Sequence, residues 1–186
     1  MSQVRRSSVV RLVFSLLVMG TSLFAVDGII EINQTAALAG GVTSGDGAGF
    51  PVTISGSGSY RLTGNLVVPD ANTTAVVVSQ VNVTLDLNGF SILGSTSCSQ
   101  TTPGSSVSCT GTGSGKGIDA SVNNVTVLNG TIRGMGNDGI NLSSRARVEG
   151  LSVISNGADG MDVGTDSLVV GNRATLNGSE GVTEPA

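Results

Sequence analysis

Apolar and polar residues alternate along this chain in short bursts, with turn residues between one burst and the next. Val125-Thr126-Val127, Thr131-Ile132-Arg133 and Gly139-Ile140-Asn141-Leu142 show the pattern, separated by Asn-Gly or by Gly-x-Asp-Gly. The spacing within a burst is never helical, so the pattern predicts short strands. The bursts also keep time. Val127, Val148 and Val169 stand 21 residues apart, as do Ile132, Val153 and Ala174. Gly136, Gly157 and Gly178 keep the same interval, and so do Gly139, Gly160 and Gly181, with an acidic residue before each glycine of the second set. Gly117-Ile118-Asp119, 22 residues before Gly139, extends the series upstream.

Three short strands and three turns in each 21–22 residues describe one coil of a parallel β-helix. A single coil cannot close a core, so its inward Val, Ile and Leu are buried only when the next coil stacks on it. A propeller blade needs about 40 residues, which this period excludes. The recurring glycines are expected at the corners, where sharp turns call for φ > 0. Upstream, Ala75-Val76-Val77-Val78, Val83-Thr84-Leu85-Asp86-Leu87 and Phe90-Ser91-Ile92-Leu93 read as three strands of an earlier coil. Asn88-Gly89 then occupies the corner that Asn129-Gly130 takes later. Pro51-Val52-Thr53-Ile54 and Tyr60-Arg61-Leu62 read as strands joined by a Ser-Gly-Ser-Gly turn. Residues 29–39, with Glu31-Ile32-Asn33-Gln34 and an alanine-rich run, are expected to cap the open end, because a first coil otherwise exposes core and unpaired strand groups. The expected division is a leader over residues 1–25, a cap or linker over 26–49 and an all-β, right-handed parallel β-helix over 50–186, with an insertion at 95–116. The final repeat stops at Gly181-Val182-Thr183-Glu184-Pro185-Ala186, at the third-strand position. An incomplete last coil, cut from a longer ancestral array, is the expectation.

Composition narrows the chemistry. The 186 residues include 28 glycines and two cysteines but no histidine and no tryptophan, and only 12% are charged. Without histidine there is no Ser-His-Asp or Cys-His dyad, no imidazole metal site and no histidine pH switch. With no tryptophan and one tyrosine, aromatic platforms for sugars or bases are nearly excluded. Glycine is at about twice its average share, yet 39% hydrophobic residues and a mean hydropathy of +0.28 argue against disorder. Arg5, Arg6 and Arg11 precede an uncharged apolar run over residues 12–25, which reads as a secretory signal and is too short to span a bilayer. Its removal leaves 6 basic against 13 acidic residues, a net charge of 6 − 13 = −7. Such a surface is a poor partner for nucleic acid, and no second apolar stretch is long enough for a membrane span.

Export gives the cysteines a meaning. Cys98 and Cys109 lie in a Ser/Thr/Gly-rich stretch, and in an oxidising compartment they are expected to form one local disulfide. Closing so short a loop is worth about 2.5–3 kcal/mol by the chain-entropy argument. Two free thiols in a redox role are the alternative, although the C-x-x-C spacing is absent.

Longer phrases carry a resemblance. Ile30-Glu31-Ile32-Asn33-Gln34, Gly49-Phe50-Pro51-Val52-Thr53-Ile54 and Gly58-Ser59-Tyr60-Arg61-Leu62-Thr63-Gly64-Asn65-Leu66 resemble the opening of bacterial exported right-handed parallel β-helix repeat proteins. Val83-Thr84-Leu85-Asp86-Leu87-Asn88-Gly89-Phe90, Asn129-Gly130-Thr131-Ile132-Arg133-Gly134-Met135-Gly136 and Ala146-Arg147-Val148-Glu149-Gly150 continue it over nearly all of the exported part. The resemblance implies a pectin-lyase-like fold and a place outside the cytoplasm: periplasm, cell surface or medium. It implies no reaction, since one fold hosts several functions. Further Asp-Gly-Ile repeats that the family carries downstream are missing here.

Three chemistries bear on these residues. A polysaccharide hydrolase needs two carboxylates facing each other across the scissile bond. Asp138, Asp159 and Glu180 share one column and would form a ladder along one edge, at about 4.8 Å per rung. Their recurrence favours a plainer role, each in a turn bonded to its own backbone beside the following glycine. Pectate-lyase-like and polygalacturonase-like sites need, respectively, an arginine base with calcium-bound aspartates and a Gly-His-Gly element. Arg133, the basic residue near Asp138 in sequence, has no arginine cluster with it. Gly157-Ala158-Asp159-Gly160-Met161-Asp162 is similar to a calcium-binding nonapeptide roll, but a period of 21 contradicts nine, and calcium on the ladder would be adventitious. No cofactor is expected. Copper delivery would need more than Met135 and Met161. Seven Asn-x-Ser/Thr sequons, at Asn33, Asn72, Asn82, Asn124, Asn129, Asn141 and Asn177, read as composition. The expected function is that of a non-enzymatic structural or surface-interaction module, its partner an extracellular polysaccharide or cell-surface component. A polysaccharide-active β-helix, complete or degenerate, is the alternative. The strand face or the 95–116 loop would carry the binding.

Overall fold

The short alternating bursts form strands, and the strands assemble into long parallel sheets. The computed structural model describes residues 28–183. The signal segment read in residues 1–25 and the Glu184-Pro185 end lie outside the described residues. One sheet contains β1 (Ile29–Ile32), β3 (Gly58–Leu62), β6 (Val83–Asp86), β11 (Val125–Arg133), β13 (Arg147–Ile154) and β15 (Leu168–Val170). Three short strands, β4 (Leu66–Val67), β7 (Ser91–Leu93) and β16 (Arg173–Thr175), extend it beside the second halves of β11 and β13. The second sheet contains β2 (Val52–Ile54), β5 (Val76–Val78), β10 (Ile118–Ala120), β12 (Ile140–Leu142), β14 (Met161–Val163) and β17 (Val182–Thr183). A separate hairpin pairs β8 (Ser97–Ser99) with β9 (Ser108–Thr110), and one short helix, α1 (Gln34–Ala39), follows β1.

Every pair in the two large sheets is parallel, and the register repeats the sequence period. Val127 lies opposite Val148 and Val148 opposite Val169, while Ile132, Val153 and Ala174 align in the same way. Ile118 aligns with Ile140 across the 22-residue interval, and Ile140 with Met161. The chain therefore visits each sheet once per period, which gives an all-β, β-helix-like architecture. Ile118 also pairs with Val76, 42 residues earlier, so the insertion before β10 takes the length of one further period. Its tip is a hairpin, with Cys98 directly opposite Cys109 in the expected disulfide.

Two expectations about corners need correction. The bursts Val125-Thr126-Val127 and Thr131-Ile132-Arg133 are one strand, β11, and the next pair of bursts is likewise joined in β13. Asn129 (φ 53°) and Gly150 (φ 68°) bend these strands without breaking them. The bend shifts alternation by one residue, so that Val125 and Val127 point inward before it and Ile132 after it. Asn88-Gly89 occupies the same bend but is longer: Asp86 aligns with Leu128 and Ser91 with Thr131, so two extra residues lie between.

The second correction concerns the glycines. From Asn124 onward the left-handed positions form three columns, Asn124–Arg145–Asp166 (begun by Asn82), Asn129–Gly150–Gly171 and Gly134–Ser155–Leu176. Gly136, Gly157 and Gly178 are not among them, nor are Gly139, Gly160 and Gly181. Five of those six, all but Gly181, answer to close approach. A Cβ on Gly157 would strike the Gly136 carbonyl, and one on Gly160 would lie 2.5 Å from the Gly181 oxygen. The neighbouring period leaves no room for a side chain there, whatever the φ angle.

Between the sheets lies a continuous apolar core, from Ile32 and Tyr60 through Leu85, Ile92 and Ile118 to Met161 and Val163. Each three-residue strand of the second sheet buries its two ends and turns its middle residue outward. Thr53, Val77, Asp119, Asn141, Asp162 and Thr183 therefore share one outer column. Among the described residues no helix is long and apolar enough to cross a membrane.

Candidate functional site

The acidic column is set by the corner that precedes the second sheet. Asp138, Asp159 and Glu180 stand just before the close-contact glycines, and the chain leaves each corner into β12, β14 or β17. Asp138 is 92% buried, and one of its oxygens, Oδ1, accepts the Asp159 amide at 3.2 Å. Asp159 Oδ1 accepts the Glu180 amide at 2.9 Å, and its Oδ2 accepts the Thr183 hydroxyl at 3.1 Å. The carboxylates thus bind the main chain of the next period, and not their own turn as the plainer sequence reading had it. The reason is geometric: parallel stacking places an identical corner directly above each acid, with an amide aimed at it. A carboxylate is a strong acceptor for such an N–H.

The outer column of the second sheet brings more groups to this edge. Lys116 Nζ donates to Asp119 Oδ1 at 3.1 Å and lies 3.7 Å from Asp138 Oδ2. Asn141 Nδ2 donates to Asp162 Oδ2 at 3.1 Å. Desolvation raises the Asp162 carboxyl above the ordinary aspartate value, and the charges of Asp138 and Asp159 push it the same way against Lys116. Among the described residues no group of three or more Asp, Glu or Cys side chains is placed to hold a metal ion. On this ladder Asp138 Oδ1 and Asp159 Oδ1 face amides, and Asp159 Oδ2 faces a hydroxyl. Arg133 does not join the acids. It is exposed on β11, in register with Leu93 and Ile154.

An asparagine ladder was missed in the sequence. Asn156 is fully buried, and its Oδ1 accepts the Met135 amide at 3.0 Å. Asn177 Oδ1 accepts both the Asn156 amide and Asn156 Nδ2 at 3.1 Å, and Asn177 Nδ2 donates to the Val153 carbonyl at 3.2 Å. The signal was available, because Asn156 and Asn177 are one period apart and each precedes a recurring glycine. The disulfide hairpin rests on this corner, both sulfurs against the Asn156 carbonyl at 3.4 and 3.7 Å. Several sequon asparagines also have structural work: Asn82, Asn124 and Asn129 are left-handed bends, and Asn33 caps α1.

No family model, curated protein or solved structure matches this chain. Its reading therefore rests on its own residues. They describe an edge on which carboxylates and carboxamides splice one period to the next, with Lys116, Asp119, Asn141 and Asp162 as the outward-facing polar groups.

Proposed function

We propose that the protein is an exported, non-enzymatic, right-handed parallel β-helix with a pectin-lyase-like coil of three strands, acting as a structural or surface-interaction module. The observation that carries this reading is the use of the recurring acids: Asp138 and Asp159 each spend an oxygen on the next period's amide. A reaction needs its acid once and free to meet substrate, whereas stacking needs one in every period. Three left-handed bends per period support the three-sided coil. The closed disulfide supports a working place outside the cytoplasm. On this reading residues 26–49 close the N-terminal end, and the outer strand faces or the hairpin meet a polysaccharide or cell-surface component.

The test is incubation of the exported protein with uronate polymers, with and without Ca²⁺, alongside retention on immobilised polysaccharides. No product is expected, and retention should survive Asp138→Asn. Turnover abolished by substituting Asp138 or Asp159 would overturn the proposal in favour of a polysaccharide-active enzyme.

A further inference from the structure

The insertion that follows β7 does not stay within its own coil. At its foot the amides of Gly94, Thr96 and Gly113 donate to the carbonyls of Arg133, Gly134 and Gly136, at 2.9, 2.8 and 2.9 Å. The hairpin of β8 and β9 then continues along the stack. A Cβ on Gly157 would meet Thr112 Cγ2 at 3.1 Å, and one on Gly178 would meet Cys109 Sγ at 3.1 Å. Gly136, Gly157 and Gly178 belong to three successive periods, so one segment crosses three coils at a single corner. The strand ladders, by contrast, join each coil only to its neighbours.

What the hairpin covers is polar. Asn156 and Asn177 are buried there. The amides of Met135 and Asn156 end on Asn156 Oδ1 and Asn177 Oδ1, and those of Gly157 and Gly178 on the Met135 and Asn156 carbonyls. Such a network is strong only while water is kept out. The cover itself is slight. β8 and β9 have three residues each, and so small a hairpin is marginal on its own. Ser97, Ser99, Ser108 and Thr110 are exposed, while the sulfurs of Cys98 and Cys109 lie 3.4 and 3.7 Å from the Asn156 oxygen. The covalent bond that makes one cover of two strands is thus also the part that rests on the corner.

We propose that the hairpin is a redox-dependent strap. With the Cys98–Cys109 bond closed it clamps three coils at this corner; with the bond reduced the corner opens while the rest of the stack stays folded. A dithiol reductant supplies the change. Its two thiols join in a disulfide, the Cys98–Cys109 bond breaks, and two electrons and two protons pass to the cysteines, which become thiols.

Amide hydrogen exchange of the full chain, oxidised and after incubation with dithiothreitol, is the test. Exchange at Met135, Asn156, Gly157 and Gly178 is expected to quicken by roughly 10- to 100-fold on reduction. The Gly164 amide, bonded to Leu142 at another corner of the same coils, should keep its rate, and so should the Val52 amide, bonded to Ala75. Cys98→Ser with Cys109→Ser should show the fast rates without reductant and ignore its addition. Reoxidation of the reduced parent should restore the slow ones, and the reduced parent decides where the variant does not fold. Unchanged exchange at the four corner amides overturns the proposal. So does an equal rise at Gly164 and Val52, or loss of the β spectrum on reduction, since the disulfide then steadies the whole fold and not one corner.

Discussion

At the scale of single residues, the left-handed bends separate conformational strain from packing. Arg145 is exposed and holds φ 59° in a column otherwise made of Asn82, Asn124 and Asp166. Arginine carries a steric penalty in that region that asparagine largely escapes. Arg145→Asn is expected to stabilise the fold by about 1 kcal/mol, read as a melting temperature higher by about 2–4 °C. An unchanged or lower value would show that another contact of Arg145 outweighs the strain. Asn156 makes the opposite case. Asn156→Ala leaves the Met135 amide buried without its acceptor, which costs about 1–3 kcal/mol for that group alone, and calorimetry should show the loss. Asp162 predicts a pH dependence. Its folded carboxyl binds a proton more readily than the unfolded one, so its contribution is most favourable while protonated and declines as pH rises from the ordinary aspartate value through the folded one. Asp162→Asn is therefore expected to be more stable than the parent at neutral pH, with the advantage shrinking as pH falls through the raised folded value toward the ordinary aspartate one. Denaturant midpoints at several pH values check the sign.

At the scale of elements, the spacing of glycine matters more than its freedom of backbone angle. An alanine at Gly160 would place its Cβ 2.5 Å from both the Gly181 oxygen and Asn177 Nδ2. Gly160→Ala should cost several kcal/mol, more than the ~1–3 kcal/mol common for overpacking because a backbone group is struck. Retention of the parental melting temperature would refute the close-approach account. This contrast also marks how far the fold could be read in advance. Val127, Val148 and Val169 announced the register because burial repeats a residue type at every period, and the parallel ladders follow that interval. Cys98 and Cys109 announced their pairing in the same plain way. The cause of the glycine columns was not legible, because a glycine under φ > 0 and a glycine under a carbonyl look identical in sequence. The partners of Asp138 and Asp159 were equally hidden. Each bonds an amide 21 residues away, a contact that exists only once the neighbouring period has stacked. Asn129 was read as a break between strands, because a single left-handed residue that shifts alternation within a ladder leaves the same local signature as a turn.

For the molecule as a whole, a stack of like periods has a stability that adds from neighbour to neighbour, so its ends decide whether it remains a discrete particle. The N-terminal end is closed by a few polar atoms on Gln34, Thr43 and Asp46, with Ala37 of α1 buried against the core beside them. Each bond is modest, about 1 kcal/mol, or somewhat more where Asp46 is the acceptor. Their larger effect is to occupy main-chain groups that another chain would otherwise pair with. Removing them should change assembly more than it changes folding. Gln34→Ala combined with Asp46→Ala frees the Val67 and Thr53 amides together, so the edges of β4 and β2 then present unpaired groups. Unpaired strand edges are templates for pairing with other chains, so association is expected. Light scattering of the double variant is expected to grow with time and concentration, while the parent reaches a constant value. A double variant that melts lower but scatters like the parent would show that these side chains hold the first coil in place without guarding its edge.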